Sequence, residues 1–183
     1  MIDLPDGKFS IVYADPPWAY NDNLFNSNTG IVSGNAEQQY ATMTQKELLD
    51  MDVVRIVYNT ALLFLWATGP LMPDAMQLGN KWGFHFSHVS VVWNKTKPNP
   101  GHYTVSQTEL LLAFTRGGAK PRDGHLFISK QICHSRKPEQ IRRWIDSTWP
   151  RVKKIELFAR RTAPGWTSWG NEVDKHDNDF GFV

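Results

Sequence analysis

Residues 9–18, Phe-Ser-Ile-Val-Tyr-Ala-Asp-Pro-Pro-Trp, constrain this chain more than any other stretch. Ser10 to Ala14 reads as a short buried strand, because β-branched and aromatic side chains follow one another with no charge between them. Pro16 and Pro17 then end it. Neither has an N–H to give a ladder, and each restricts the residue before it, so the backbone leaves the strand in a stiff extended turn. The end of a strand is where open α/β sheets hold their ligands. Here that end carries the Asp15 carboxylate, the carbonyls of Pro16 and Pro17, and the flat ring of Trp18. These parts suit a planar amino-heterocycle: two acceptors for an exocyclic NH2 and a face for stacking. An ordinary strand-end turn with a capping Asp is the plainer alternative, but Trp is a poor turn residue without a task.

Such a turn needs a full sheet behind it. A chain of 183 residues with 41% hydrophobic content suffices for one α/β domain, with residues 7–173 as its core and 174–183 as an acidic tail. Eight Trp and ten Phe favour flat ligands or a broad aromatic core. The single cysteine, Cys133, excludes an internal disulfide and a cysteine zinc site, which fits a reducing cytoplasm. Met1 leads into a polar turn rather than a secretory leader, and no apolar run is long enough for a membrane span. His85 and His88 fall on opposite faces of a predicted strand, so no metal site is expected.

Alternation and punctuation order the remainder. Residues 21–39 are polar and aperiodic, a candidate lid over the turn. Thr44 to Glu47 forms a capping box that predicts a helix to about Tyr58, against which Tyr40 can pack. Residues 61–66 are continuously apolar and predict a central strand. A helix over 72–82 stopped by Gly83, a strand over 85–93 and a strand over 109–114 follow. Between the last two lies a polar loop, 94–103, whose Lys95, Lys97, His102 and Tyr103 are placed to meet phosphates and bases, unless it is simply surface. A short strand is expected at 126–128 and another over 154–160, followed by a Gly/Pro loop over 161–168.

Charge is uneven. Residues 116–161 hold 13 Lys and Arg against 4 Asp and Glu, although the whole chain is only +2. A polyanion-facing surface explains such a block, and so do a solvated helix face and ligand-binding cations. Within it, Pro138 and Glu139 open an amphipathic helix whose inner stripe is Ile141, Trp144, Ile145 and Trp149. Lys137 stands at its N-terminus, where its charge opposes the helix dipole. A residue that breaks a local rule often has a functional reason, and an ammonium beside free helix N–H groups suits a carboxylate. The plain alternative is a lysine in solvent.

Asp15-Pro16-Pro17-Trp18 is the D-P-P-W form of the motif of methyltransferases that act on the N6 amine of adenine. Together with Ser135-Arg-Lys137-Pro-Glu, Lys154-Ile-Glu-Leu-Phe-Ala-Arg160 and Trp169-Gly-Asn-Glu172, it makes the chain resemble the MT-A70 family, in its small bacterial and bacteriophage form. The resemblance implies a Rossmann-like methyltransferase sheet with helices on both faces. The D-P-P-W strand comes first and the cofactor loop last, the circularly permuted β-class order. It implies S-adenosylmethionine as cofactor. Lys137 would hold its methionine carboxylate, and Glu156, Arg160, Asn171 and Glu172 would line the ribose pocket with Asp15 nearby. Thr162 joins this set where relatives often carry His, and Ala163 stands where they often carry Asn. Tyr40, Trp93 and the Gly-His-Tyr element at 101–103 would lie near the acceptor base. The implied substrate is adenine in DNA, with RNA adenine and a catalytically inactive nucleic-acid-binding partner subunit as alternatives. Target recognition would fall to the loops, to a homodimer or to a protein partner.

Overall fold

The computed structural model describes residues 3–19, 42–99, 106–121, 125–128 and 137–173. Among these, seven strands make one sheet: β1 (Phe9–Ala14), β2 (Val57–Ala67), β3 (His85–Asn99), β4 (Ser106–Arg116), β5 (His125–Ile128), β6 (Lys154–Leu157) and β7 (Trp166–Trp169). Their order is β5-β3-β4-β2-β1-β6-β7. Only β4 runs against the others, pairing antiparallel with both β2 and β3, while the remaining pairs are parallel.

Three α-helices, α1 (Gln45–Leu49), α2 (Met72–Lys81) and α3 (Glu139–Thr148), cover the sheet. Strand periodicity decides which core each residue enters. Val12, Ala14, Leu63 and Leu65 face one way and pack with Leu48 of α1 and with Ala75 and Leu78 of α2. Ile11, Tyr13, Leu62, Phe64 and Trp66 face the other way and pack with Ile141 and Ile145 of α3. The sheet is therefore buried on both sides, which is why β1 and β2 read as continuous apolar runs.

Helix α3 has only ten residues, too short to hold without packing. Burying Ile141 and Ile145 contributes about 1.5–3 kcal/mol each, and the Phe64 ring sits 5.6 Å from Trp144 and 5.5 Å from Trp149. This clamp fixes Pro138, the N-cap of the helix, and with it Lys137 just before that cap.

Several predicted boundaries change. The helix opened by Thr44 has the predicted capping box, but it stops at Leu49. A 3₁₀ turn over Val53–Ile56 follows, and β2 starts at Val57 rather than Ala61. The β-branched Val53, Val54, Ile56 and Val57 do not favour a continued α-helix. Strand β3 continues to Asn99, so Lys95 belongs to a strand and not to a loop. Strand β6 ends at Leu157 instead of Arg160. The loop read over 161–168 conceals β7, an edge strand of only four residues after Gly165. The candidate lid at 21–39 lies outside the described residues, as do Tyr40, His102 and Tyr103. The Lys97 side chain is likewise undescribed.

Helix α2 approaches the sheet through Gly79. A Cβ there would overlap the ring of Phe114, a fully buried side chain of β4. Gly79→Ala gains about 1 kcal/mol of helix propensity but overpacks the contact by about 1–3 kcal/mol. The expected result in a thermal melt is a Tm lower by about 2–5 °C. Adding Phe114→Leu to Gly79→Ala recovers part of that loss.

Candidate active site

Chain order reverses between β1 and β6. The chain leaves β1 toward β2 on one side and leaves β6 toward β7 on the other. A crevice opens at the C-terminal ends of two such strands. Ala14 lies in register with Leu157, so Asp15 and Phe158 begin the two loops side by side.

The turn after β1 is pinned. The Trp18 N–H donates to the Pro16 carbonyl at 2.9 Å, and the Met43 N–H donates to the Pro17 carbonyl at 2.8 Å. The carbonyls read from sequence as free are thus each engaged once, and Pro16 keeps one lone pair. The Trp18 ring also departs from expectation. It is only 9% exposed and belongs to the core, with its Nε1 donating to the Trp66 carbonyl at 3.4 Å. It supports the turn from beneath rather than offering an open stacking face.

Asp15 and Lys137 are 122 residues apart in sequence, yet Lys137 Nζ donates to Asp15 Oδ2 at 2.6 Å. Both side chains are largely but not fully buried. Lys137 also lies 3.1 Å from Glu109 Oε2, and its ammonium sits 5.5 Å from the centre of the Trp66 ring. That ring is held by a 2.7 Å hydrogen bond from its Nε1 to the Tyr13 hydroxyl. Glu109 is the residue the sequence reading missed. It reaches this edge because β4 runs antiparallel, so the beginning of β4 lies beside the ends of its neighbours: Glu109 faces Trp93, and Leu110 faces Ala67. A charged residue opening an apolar strand was the available signal.

Lys95 corrects a prediction. Instead of facing phosphates it is buried, and its Nζ sits 3.0 Å from Glu109 Oε1. Trp93, expected near the acceptor base, is 1% exposed and meets Trp66 edge-on at 6.1 Å. It acts as a wall behind Trp66.

Burial and partners oppose one another across this cluster. Burial raises the Asp15 carboxyl above the usual carboxylate range, and the nearby Lys137 only partly offsets it. Burial also pushes Glu109 upward, but Lys137 and Lys95 outweigh it and hold Glu109 below its usual value. For Lys137 burial acts downward, while Asp15 and Glu109 prevail and raise it.

The second loop set comes from β6 and β7. Phe158 adopts φ 62°, an uncommon left-handed conformation for an aromatic residue. The Ala159 N–H donates to the Trp169 carbonyl at 2.9 Å, and Gly170 lies so close to Ala159 that a Cβ would overlap the Ala159 carbonyl. Arg160 Nε lies 3.6 Å from Glu172 Oε2. Glu156 points to α3, where Arg142 Nη2 is 2.7 Å from its Oε2, and burial raises its carboxyl despite that partner. Glu139 pairs with Arg161 and with Arg142. Thr162 and Asn171 are exposed at the same edge.

Among its described residues the basic block is less of a surface than its charge implies. Lys137, Arg142, Lys154, Arg160 and Arg161 all pair with carboxylates. Among the described residues Lys120, Arg143, Arg151 and Lys153 remain exposed. No group of metal-ligating side chains occurs among the described residues, and none of their helices is long and apolar enough to cross a membrane.

The MT-A70 family pattern matches residues 9–172, from the first residue of β1 to Glu172. This chain belongs to the MT-A70 family. It is 37% identical over 186 residues to the Type II methyltransferase M.MunI of Mycoplasma sp., covering 93% of this chain and 80% of that protein. It is 28% identical over 182 residues to the human N(6)-adenosine-methyltransferase catalytic subunit METTL3, covering 92% of this chain but 29% of that protein. A putative N(6)-adenosine-methyltransferase MT-A70-like protein of Medicago truncatula is also 28% identical, with 27% of its length covered. The chain thus spans most of the Mycoplasma relative and under a third of the human and plant ones. It is an MT-A70 methyltransferase, and its sheet is the Rossmann-like one, with the D-P-P-W strand β1 preceding β6 and β7 in the permuted order.

Lys137→Met tests the electrostatics of this MT-A70 site. With Lys137 gone, Asp15 and Glu109 both have folded-state pKa values pushed up. A carboxyl raised in this way costs stability above its folded pKa, and the cost disappears as pH falls through that value. Denaturant unfolding is expected to show a loss of about 2–4 kcal/mol at pH 7 that shrinks steadily toward pH 4. A loss independent of pH would mean that the cluster is not charged as described.

Proposed function

We propose that this methyltransferase transfers a methyl group from S-adenosylmethionine to the N6 amine of adenine in DNA. The observation that carries the reading is the 2.6 Å contact between Lys137 and Asp15. An ammonium that suits a carboxylate stands there beside an acceptor that suits an amine. The residues present suit the cofactor: an ammonium for the methionine carboxylate at Lys137, and Arg160, Thr162, Asn171 and Glu172 beside the closely apposed loops after β6 and β7 for the nucleoside. Glu156 lies on the α3 side of this set, tied to Arg142.

When bound, S-adenosylmethionine supplies a methyl group made electrophilic by its sulfonium. The chain's own residues do the remainder. The adenine amine is a weak nucleophile because its lone pair is delocalised into the ring. Asp15 and the spare lone pair of the Pro16 carbonyl accept its two N–H bonds and localise that lone pair. Pro17 and the buried Trp18 keep the turn stiff, so the acceptors hold their direction while the amine is brought into line. No strong base is required, since the amine becomes acidic once methylated, and Asp15 already touches its proton. The base must leave its stack to reach this turn. Tyr40, Lys97, His102 and Tyr103 remain acceptor-side candidates on the strength of the family resemblance.

The adenine N6 reading is supported by the N(6)-adenosine activity named for the human and plant relatives. The DNA reading is supported by the similarity to the Type II methyltransferase, which extends across 80% of that protein, against 29% of the human enzyme.

The test is incubation with methyl-labelled S-adenosylmethionine and either adenine-containing DNA or RNA, followed by nucleoside analysis. N6-methyl-2′-deoxyadenosine is expected. N6-methyladenosine from RNA alone would make RNA the substrate, and no product with no cofactor-induced thermal shift would favour an inactive partner subunit. Asp15→Ala is expected to lower transfer by about 10³-fold or more while S-adenosylhomocysteine still binds. Unchanged turnover would remove the mechanism.

A further inference from the structure

We propose that Lys95 is a positioning residue of the cofactor site: it holds Glu109 so that Lys137 can exchange Asp15 for the carboxylate of the incoming cofactor. The proposal deepens the reading of Lys137 given above and rests on it.

Four charges alternate along one chain of contacts. Lys95 Nζ lies 3.0 Å from Glu109 Oε1, Lys137 Nζ lies 3.1 Å from Glu109 Oε2, and Lys137 Nζ lies 2.6 Å from Asp15 Oδ2. The four formal charges sum to zero. Lys95 is the innermost member, with its side chain 3% exposed, and its ammonium is already taken by Glu109. Each oxygen of Glu109 thus has its own ammonium. When Lys137 turns toward a ligand carboxylate, Glu109 keeps Lys95 and is not left as an unpaired buried charge. When Lys137 leaves Asp15, that carboxylate becomes available to the amine. The Trp66 ring beneath Lys137 is backed by Trp93, two residues before Lys95 on β3, so one strand supports both the cation's seat and its counter-charge.

Without Lys95 the same cluster carries a net charge of −1. Lys137 is then drawn between two carboxylates, and a third is repelled. The penalty falls on ligands that carry the amino-acid carboxylate and not on those that lack it.

Calorimetry on the full chain tests this with S-adenosylhomocysteine, which has that carboxylate, and 5′-methylthioadenosine, which does not. Lys95→Met is expected to weaken S-adenosylhomocysteine by about tenfold and to leave methylthioadenosine within about twofold. Lys95→Met combined with Glu109→Gln removes the buried pair together and is expected to restore most of the S-adenosylhomocysteine affinity, and it keeps the test open if the single variant folds poorly. Equal weakening of both ligands would mean a merely structural lysine and would overturn the proposal. So would unchanged S-adenosylhomocysteine affinity with weaker DNA binding and a flatter salt dependence, which would make Lys95 a phosphate contact. A wild-type chain that binds the two ligands equally would instead refute the role of Lys137, independently of any variant.

Discussion

The ion pair between Asp15 and Lys137 is the interaction on which the site depends. Two unit charges at about 4 Å attract by about 4 kcal/mol at an effective dielectric of about 20, and withdrawing each from water costs a comparable amount. A pair so balanced is easily exchanged. Replacing one carboxylate by another on the same ammonium changes little in free energy, so a ligand carboxylate can compete for Lys137 where a neutral group cannot. The remaining exposure of both side chains leaves that route open.

The sheet makes the pair possible. Asp15 needs the stop imposed by Pro16 and Pro17, and the turn needs Trp18 buried beneath it. Lys137 needs α3 fixed to the opposite face of the strands, which Ile141, Ile145 and the Trp144–Phe64–Trp149 cluster achieve. The single antiparallel strand, β4, then supplies Glu109 from its start at the edge where its neighbours end. Had β4 run parallel, its beginning would lie at the far edge of the sheet. One reversed strand thus explains how a buried carboxylate comes to lie between two lysines.

What was legible in the sequence was whatever depends on local pattern. The β1 strand with its diproline stop, the Thr44 capping box, the apolar run of β2 and the stripe of α3 each carry their signal within a few residues. Lys137 was legible because it violates helix electrostatics. What escaped depends on tertiary pairing. Lys95 looked like a loop cation because Asn94 to Gly101 is polar, but strand β3 continues through the first part of it and buries the side chain against Glu109. Residues 166–169 looked like loop because only their parallel pairing with β6 makes them a strand. The basic block looked like a surface because composition does not reveal which cations already have partners. The burial of Trp18 has no local trace, because its ring bonds to a residue 48 positions away.

The most direct test is a structure of the chain with S-adenosylhomocysteine bound. Lys137 Nζ is expected at hydrogen-bond distance from the ligand carboxylate, with Asp15 released from it and Glu109 still on Lys95. Lys137 remaining on Asp15, with the ligand carboxylate held by other residues, would contradict it.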